Sequence, residues 1–171
     1  MGWLRGIDKR IFNLTLRLSQ ENYLHKYMRR ISRSGDWGMI WLFVCFVLLY
    51  WRQYRRTLEL CLFALLLTTV LSEGLLKRIF RRPRPYVTHG PVHMSIPLPT
   101  SFSFPSGHMA SSVACARILI SINLWIGIPA FIYAGLMGVS RVYLKAHYVT
   151  DVVAGGVIGL LCAEFVRWYF R

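Results

Sequence analysis

The sequence predicts an all-α, integral-membrane helix bundle of about five transmembrane helices, with an N-terminal amphipathic helix on the membrane surface. Three observations carry this expectation. Apolar residues make up 55% of the 171 and fall in long blocks rather than at amphipathic spacing. Segments rich in Arg, Pro and Gly separate the blocks. The formal net charge of +14 gathers at the block ends, where Lys and Arg meet anionic headgroups. The length suits a single domain spanning 1–171. A basic chain ordinarily suggests nucleic acid, but one this apolar is matched to the lipid bilayer, and no nucleic-acid partner is expected.

Residues 5–30 set Ile7, Ile11, Leu14 and Leu18 against Arg10, Arg17 and Glu21 at helical spacing. This amphipathic segment, bounded at 1–35, either lies along the membrane or packs on the protein body. It carries Arg and Lys throughout and lacks a continuous apolar core, so no cleavable signal peptide is expected. Ser34, Gly35 and Asp36 break the pattern and can cap the next helix. The first span covers 37–51, with Trp and Tyr at its ends as in an interfacial belt. At ~1.5 Å per residue it barely crosses the hydrocarbon core. A basic loop, 52–56, leads to a second span over 57–80. That span stops near Arg82, because Pro83 and Pro85 lack a backbone donor and clash with the preceding turn. Residues 82–105 form a loop holding most of the 7 prolines, together with His89 and His93. Further spans follow over 106–123, 124–142 and 150–170, and Gly155, Gly156 and Gly159 in the last allow close helix packing. Cys45, Cys61, Cys115 and Cys162 all fall in apolar stretches and read as buried thiols. An odd number of spans puts the termini on opposite sides. It also puts the end of the second, the start of the third, the end of the fourth and the start of the fifth on one face.

Every polar cluster with chemical potential sits at one of those four places. Lys77, Arg78, Arg81, Arg82 and Arg84 crowd the end of the second span. They would repel one another without an anion nearby, or they snorkel to headgroups as a basic flank. Pro105, Ser106, Gly107 and His108 open the third span, and a helix start with Ser and Gly in its first turn offers free N–H groups to an oxyanion. Gly107 admits close backbone approach and His108 can deliver a proton. Ser140, Arg141, His147 and Asp151 bracket the junction of the fourth and fifth spans. His147 and Asp151 are four apart, so on one helix they face the same way and can hydrogen-bond. A carboxylate-held imidazole has its tautomer set and its other nitrogen free to attack.

Taken together, in order and on one face, these motifs resemble the type 2 phosphatidic acid phosphatase family, which shares its site with the vanadium haloperoxidases. Lys77 with Arg84 and Pro85 matches the first element of the family pattern, residues 105–108 the second, and Ser140, Arg141, His147 and Asp151 the third. The resemblance covers about 77–160. It implies that His147 is the nucleophile, that Asp151 orients it, and that His108 protonates the leaving group. Lys77, Arg84 and Arg141 would bind phosphoryl oxygens, helped by Ser106 and the Gly107 N–H. Such a site needs positioning and charge more than a metal, so no metal and no cofactor are expected. His89, His93, His108, His147 and Asp151 are possible ligands by type, but the two loop histidines read as solvated or as part of a lid. The chain departs from the family at Lys145, where relatives often have Gly, and at Val149 and Thr150, where they have Pro-Ser. Glu73, one turn before Lys77, either holds the amine in place or forms a plain intramembrane ion pair.

By resemblance, the expected activity is hydrolysis of a membrane lipid phosphate or diphosphate through a phosphohistidine. Undecaprenyl diphosphate leads, because Arg78, Arg81, Arg82 and Lys145 would suit a diphosphate; phosphatidylglycerophosphate or phosphatidic acid is the alternative. Phosphoryl transfer to another lipid or sugar would use the same residues. The haloperoxidase branch is soluble, and this chain is not expected to be. A non-catalytic anionic-lipid binder or transporter would tolerate loss of His147. The resemblance points to a bacterial cell membrane. A count of cations puts the site in the cytoplasm. The compact 52–56 loop looks cytoplasmic instead, which favours a site on the extracytoplasmic face. Nothing in the sequence sets an oligomeric state.

Overall fold

The computed structural model describes residues 2–18, 22–88 and 100–171, all of whose regular structure is helical. His89 and His93 lie outside the described residues. The N-terminal segment is two helices rather than one, α1 (Gly2–Leu18) and α2 (Asn22–Ser34). Of the two placements the pattern allowed, packing on the body accounts for one stripe. Asp8, Phe12 and Thr15 of α1 and Ser32 of α2 are buried, whereas Leu14, Tyr23 and Tyr27 are exposed. The helices rest against α8 (Leu124–Tyr143), and α1 also against α9 (Val149–Tyr169).

A 3-10 turn, Asp36–Gly38, then leads into α3 (Met39–Tyr50). Trp37 and Gly38 have φ of 56° and 70°, and the chain bends by 54° between α2 and this segment. The second span is one long rod that changes pitch. It comprises α4 (Arg55–Thr69), a π-helical stretch Val70–Leu76, and α5 (Lys77–Phe80). The Lys77 N–H reaches back to the Ser72 carbonyl, the wide i→i+5 closure of a π turn, and such bulges often mark functional sites. The rod stops ahead of Pro83 as the sequence predicts, and a short helix α6 (Pro85–Thr88) follows. α7 spans Gly107–Ile120.

By length and composition three helical segments can cross a bilayer, Arg52–Thr88, Leu124–Tyr143 and Val149–Tyr169, and the bent pair Tyr23–Ser34 and Asp36–Tyr50 makes a fourth. The remaining expected span, α7, is apolar but only 14 residues long. It is not a wall of the bundle but its axle. Ala110, Ser112, Val113, Ala114, Cys115, Ala116, Ile118 and Leu119 are all buried, with α4, α8 and α9 around them. Small residues let those neighbours come close. A Cβ on Gly155 would overlap the Ser106 carbonyl oxygen, and one on Gly159 the Ala110 carbonyl oxygen; at Gly156 it would meet Met109 Cε at an ordinary 3.4 Å. Two of the three α9 glycines are therefore required by the α7 backbone. All four cysteines are buried free thiols. Outward, α9 exposes Val153, Val157, Leu161 and Phe165, and α8 exposes Ile132, Leu136 and Val139. Apolar stripes of that length belong against acyl chains.

Candidate active site

The helix ends converge as their order requires. A cavity of about 900 Å³ receives Lys77 and Glu73 from the second rod, Arg84 and Ser101 from the loop, Gly107 and His108 from α7, Arg141 from α8, and His147. Leu42, Leu62, Leu65 and Leu66 line the same cavity. Ser106 and Asp151 stand just behind it, each 0% exposed.

Three cations are buried here, Lys77, Arg84 and Arg141, each 4% exposed or less. Their partners differ. Lys77 Nζ donates to both oxygens of Glu73 at 2.7 Å and to Ser101 Oγ at 3.2 Å. Arg84 is held mainly by neutral oxygens: Nε donates to the Ser101 carbonyl (2.7 Å), Nη1 to the Ala146 carbonyl (2.8 Å) and Nη2 to Ser101 Oγ (3.0 Å). Arg141 Nη1 donates to Ser32 Oγ at 2.6 Å, and its Nε is buried without a partner. Among the described residues, neither guanidinium forms an ion pair with a carboxylate. Two buried guanidiniums without a counter-charge are costly unless an anion is bound beside them. Ser106 Oγ is a further buried polar atom without a partner, at the start of α7.

His147 does not lie on the helix with Asp151, as the four-residue spacing suggested. It sits in the tight connection before α9, whose N-cap is Tyr148. That connection turns because Lys145 adopts φ 59°, the left-handed region that favours Gly. His147 Nδ1 lies 3.7 Å from Asp151 Oδ2, too far for a hydrogen bond. The ring is oriented instead by the Ser103 backbone. Its Nδ1 is 2.7 Å from the Ser103 carbonyl oxygen; a carbonyl only accepts, so Nδ1 carries the proton and Nε2 keeps its lone pair. Arg84 Nη1 faces that lone pair at 3.3 Å. Burial, and then the charges of Arg141, Arg84, Lys77 and His108, hold the imidazole well below its ordinary 6.5. The ring is neutral and points an unshared pair toward the cations.

Asp151 acts one step back. It accepts hydrogen bonds from Ser103 Oγ, from the Tyr148 N–H at 2.9 Å and from Arg82 Nη1 at 2.6 Å. Arg82 also donates to Asp8 Oδ2 (2.7 Å) and Thr150 Oγ1 (2.7 Å), and stacks 4.1 Å over the Tyr148 ring. Asp8 of α1 in turn accepts from the Thr150 N–H at 3.2 Å, a carboxylate at the α9 N-terminus where the helix dipole favours one. His108 Nε2 is 3.0 Å from Asp36 Oδ1, which supplies the counter-charge for an imidazolium.

Ser32, Asp36, Ser101, Ser103, Asp8 and the structural use of Arg82 were not legible in the motifs. A serine in a Ser/Pro loop looks like any other, and Asp36 reads as a helix cap. Arg82, expected as a spare cation for a diphosphate, is instead bound to two carboxylates.

The helix bundle gathers two guanidiniums without ion-pair partners and an imidazole with an unshared pair at one set of helix ends. The chain belongs to the PAP2 superfamily, matched over residues 58–171, and is a membrane-embedded hydrolase of the lipid phosphatase class. It is 29% identical to an undecaprenyl-diphosphatase of Sulfolobus acidocaldarius, over 90% of this chain and 74% of that one. It is 32% identical to phosphatidylglycerophosphatase B of Bacillus subtilis, over 89% of this chain and 78% of the other. The crystal structure of LpxE from Aquifex aeolicus superposes with a TM-score of 0.81 at 28% identity, covering 94% of each chain.

Proposed function

We propose that the protein removes phosphate from a membrane lipid through a phosphohistidine on His147, without a metal. The observation that carries this is the pair of buried guanidiniums, Arg84 and Arg141, lining one cavity with His147, Arg84 Nη1 lying 3.3 Å from His147 Nε2, while leucines line the same cavity. A phosphoryl group would supply the missing negative charge, and Leu42, Leu62, Leu65 and Leu66 would take the beginning of the tail.

In the first step Nε2 attacks phosphorus as the P–O bond to the lipid breaks, and His108 gives its proton to the departing oxygen. Asp36, 3.0 Å from His108 Nε2, would stabilise that imidazole when it carries the proton to be given. Arg84, Arg141, Lys77, Ser106 and the first N–H groups of α7 balance the charge spread over the equatorial oxygens. In the second step water attacks phosphorus and passes its proton to His108; the P–N bond breaks and inorganic phosphate leaves. Two moderate barriers replace one high barrier. Asp151 acts through Ser103, whose carbonyl sets the His147 tautomer.

The leading substrate is undecaprenyl diphosphate, supported by the relative of that name, which is matched over most of its length. A second reading, a lipid monophosphate such as phosphatidylglycerophosphate, is favoured by the pairing of Arg82 with Asp8 and Asp151 and by the burial of Lys145, 6% exposed. Both leave fewer spare cations for a second phosphate than the sequence suggested. The test is phosphate release by the purified protein from a panel of lipid diphosphates and monophosphates. A site on the extracytoplasmic face of a bacterial membrane remains part of this proposal. No release from any of them, with intact protein, would refute the reading; release only with an added lipid or sugar acceptor would make the protein a phosphotransferase.

A further inference from the structure

Glu73 is a carboxylate lining the cation end of the cavity, and it does more there than neutralise Lys77. Both its oxygens lie 2.7 Å from Lys77 Nζ. An i,i+4 pair needs nothing further, yet the same carboxylate reaches across to another helix. Its Oε1 occupies the space a Cβ on Gly107 would fill, against the first turn of α7. Glu73 therefore occupies one group that the proposed function assigns to phosphoryl oxygens, Lys77 Nζ, and the space beside Gly107 in the first turn of α7. A phosphate dianion and this carboxylate are like-charged and compete for Lys77 Nζ and the space beside Gly107.

We propose that Glu73 is an internal competitor for the phosphoryl site, swinging aside when the lipid phosphate enters and returning as inorganic phosphate leaves. The inference rests on the functional reading above. The side chain is 44% exposed and springs from the π-helical stretch Val70–Leu76, so it has room to move. A competitor tethered to the site weakens every phosphate by one common factor, set by how strongly the closed arrangement is preferred. The lipid recovers that loss by burying its tail along Leu42, Leu62, Leu65 and Leu66; inorganic phosphate has no tail to bury. Three buried cations left open would hold the product phosphate and slow its release. Glu73 thus speeds product release, while the buried tail keeps the lipid bound.

The opposing role, in which Glu73 only keeps Lys77 in place, predicts the opposite sign. Glu73→Gln keeps the size and removes the charge, Glu73→Ala removes the carboxylate, and Glu73→Asp keeps the charge but is one methylene too short to reach α7. Orthophosphate binding is titrated by calorimetry in detergent, and its inhibition of lipid hydrolysis is measured in parallel. We expect orthophosphate to bind on the order of tenfold tighter (~1.4 kcal/mol) in Glu73→Gln and Glu73→Ala, and tighter also in Glu73→Asp. The KM for lipid should fall by at least the same factor, and kcat should drop as release becomes limiting. Orthophosphate binding that is unchanged or weaker in these variants, while the wild type hydrolyses lipid phosphate, overturns the inference and leaves the function standing. A wild type that neither binds orthophosphate nor hydrolyses any lipid phosphate overturns both.

Discussion

Asp151→Asn distinguishes an acid that works through the backbone from one that touches the nucleophile. Asp151 is 0% exposed and accepts from Ser103 Oγ, Tyr148 N and Arg82 Nη1. An amide of the same shape offers one acceptor oxygen in place of two. With that oxygen at the Oδ2 position, Ser103 and the α9 N-cap keep their partner, and the amide NH₂ faces Arg82. The guanidinium is not abandoned, because Asp8 Oδ2 and Thr150 Oγ1 hold it at 2.7 Å each and its side chain is 26% exposed. The loss is then one charge-assisted hydrogen bond, about 1.5–3 kcal/mol, rather than the ~3–5 kcal/mol of a buried charge left unpaired. Thermal unfolding in detergent should show a clear drop in melting temperature. His147 still donates to the Ser103 carbonyl, so turnover should fall roughly 10–100-fold through a loosened Ser103, on the scale of lost positioning. His147→Ala should leave none. The assay is phosphate release from the preferred lipid, with both variants side by side. An Asp151→Asn protein as stable as wild type yet as inactive as His147→Ala would refute the reasoning, and would mean that the 3.7 Å gap to His147 closes during turnover.

Acidity offers a second check. His147 is held well below its ordinary 6.5, first by burial and then by surrounding cations, so it stays unprotonated at pH 6.5 and the nucleophile is lost only as pH falls through the lowered value. The acid limb of kcat/KM assigned to His147 should therefore lie below pH 6.5. The unfolded chain binds that proton at higher pH than the folded one, so the same group also makes stability fall as pH drops below 6.5. In α9, Gly155→Ala should abolish activity and lower the melting temperature, since its Cβ overlaps the Ser106 carbonyl, whereas Gly156→Ala should be close to neutral; melting curves and turnover of the pair check this. Finally, treatment with EDTA should leave phosphate release unchanged, and activity lost on chelation and restored by a divalent cation would reinstate a metal.

The sequence by itself determined the helical membrane architecture and the phosphoryl motifs. Apolar blocks of bilayer length leave the backbone no option but helices, because nothing else satisfies its hydrogen bonds in hydrocarbon. Pro83 and Pro85 set where the second rod ends, and the order of the blocks alone puts Lys77, His108, Arg141 and His147 on one face. All four line one cavity. Tertiary structure decided what surrounds them. Periodicity read α7 as a span like the others, but whether a helix of small apolar residues faces lipid or protein depends on its neighbours, and here α4, α8 and α9 enclose it. The four-residue spacing of His147 and Asp151 suggested a direct hydrogen bond. The left-handed turn at Lys145 and the N-cap at Tyr148 put His147 off the helix and gave that bond to Ser103. The basic cluster near Arg84 looked uniform, yet Arg82 is bound by Asp8 from α1, 74 positions away in the chain. Local spacing encodes which side chains share a helix face. Which of two equivalent charges or serines finds a partner depends on contacts between distant segments, and these exist only once the helices have packed.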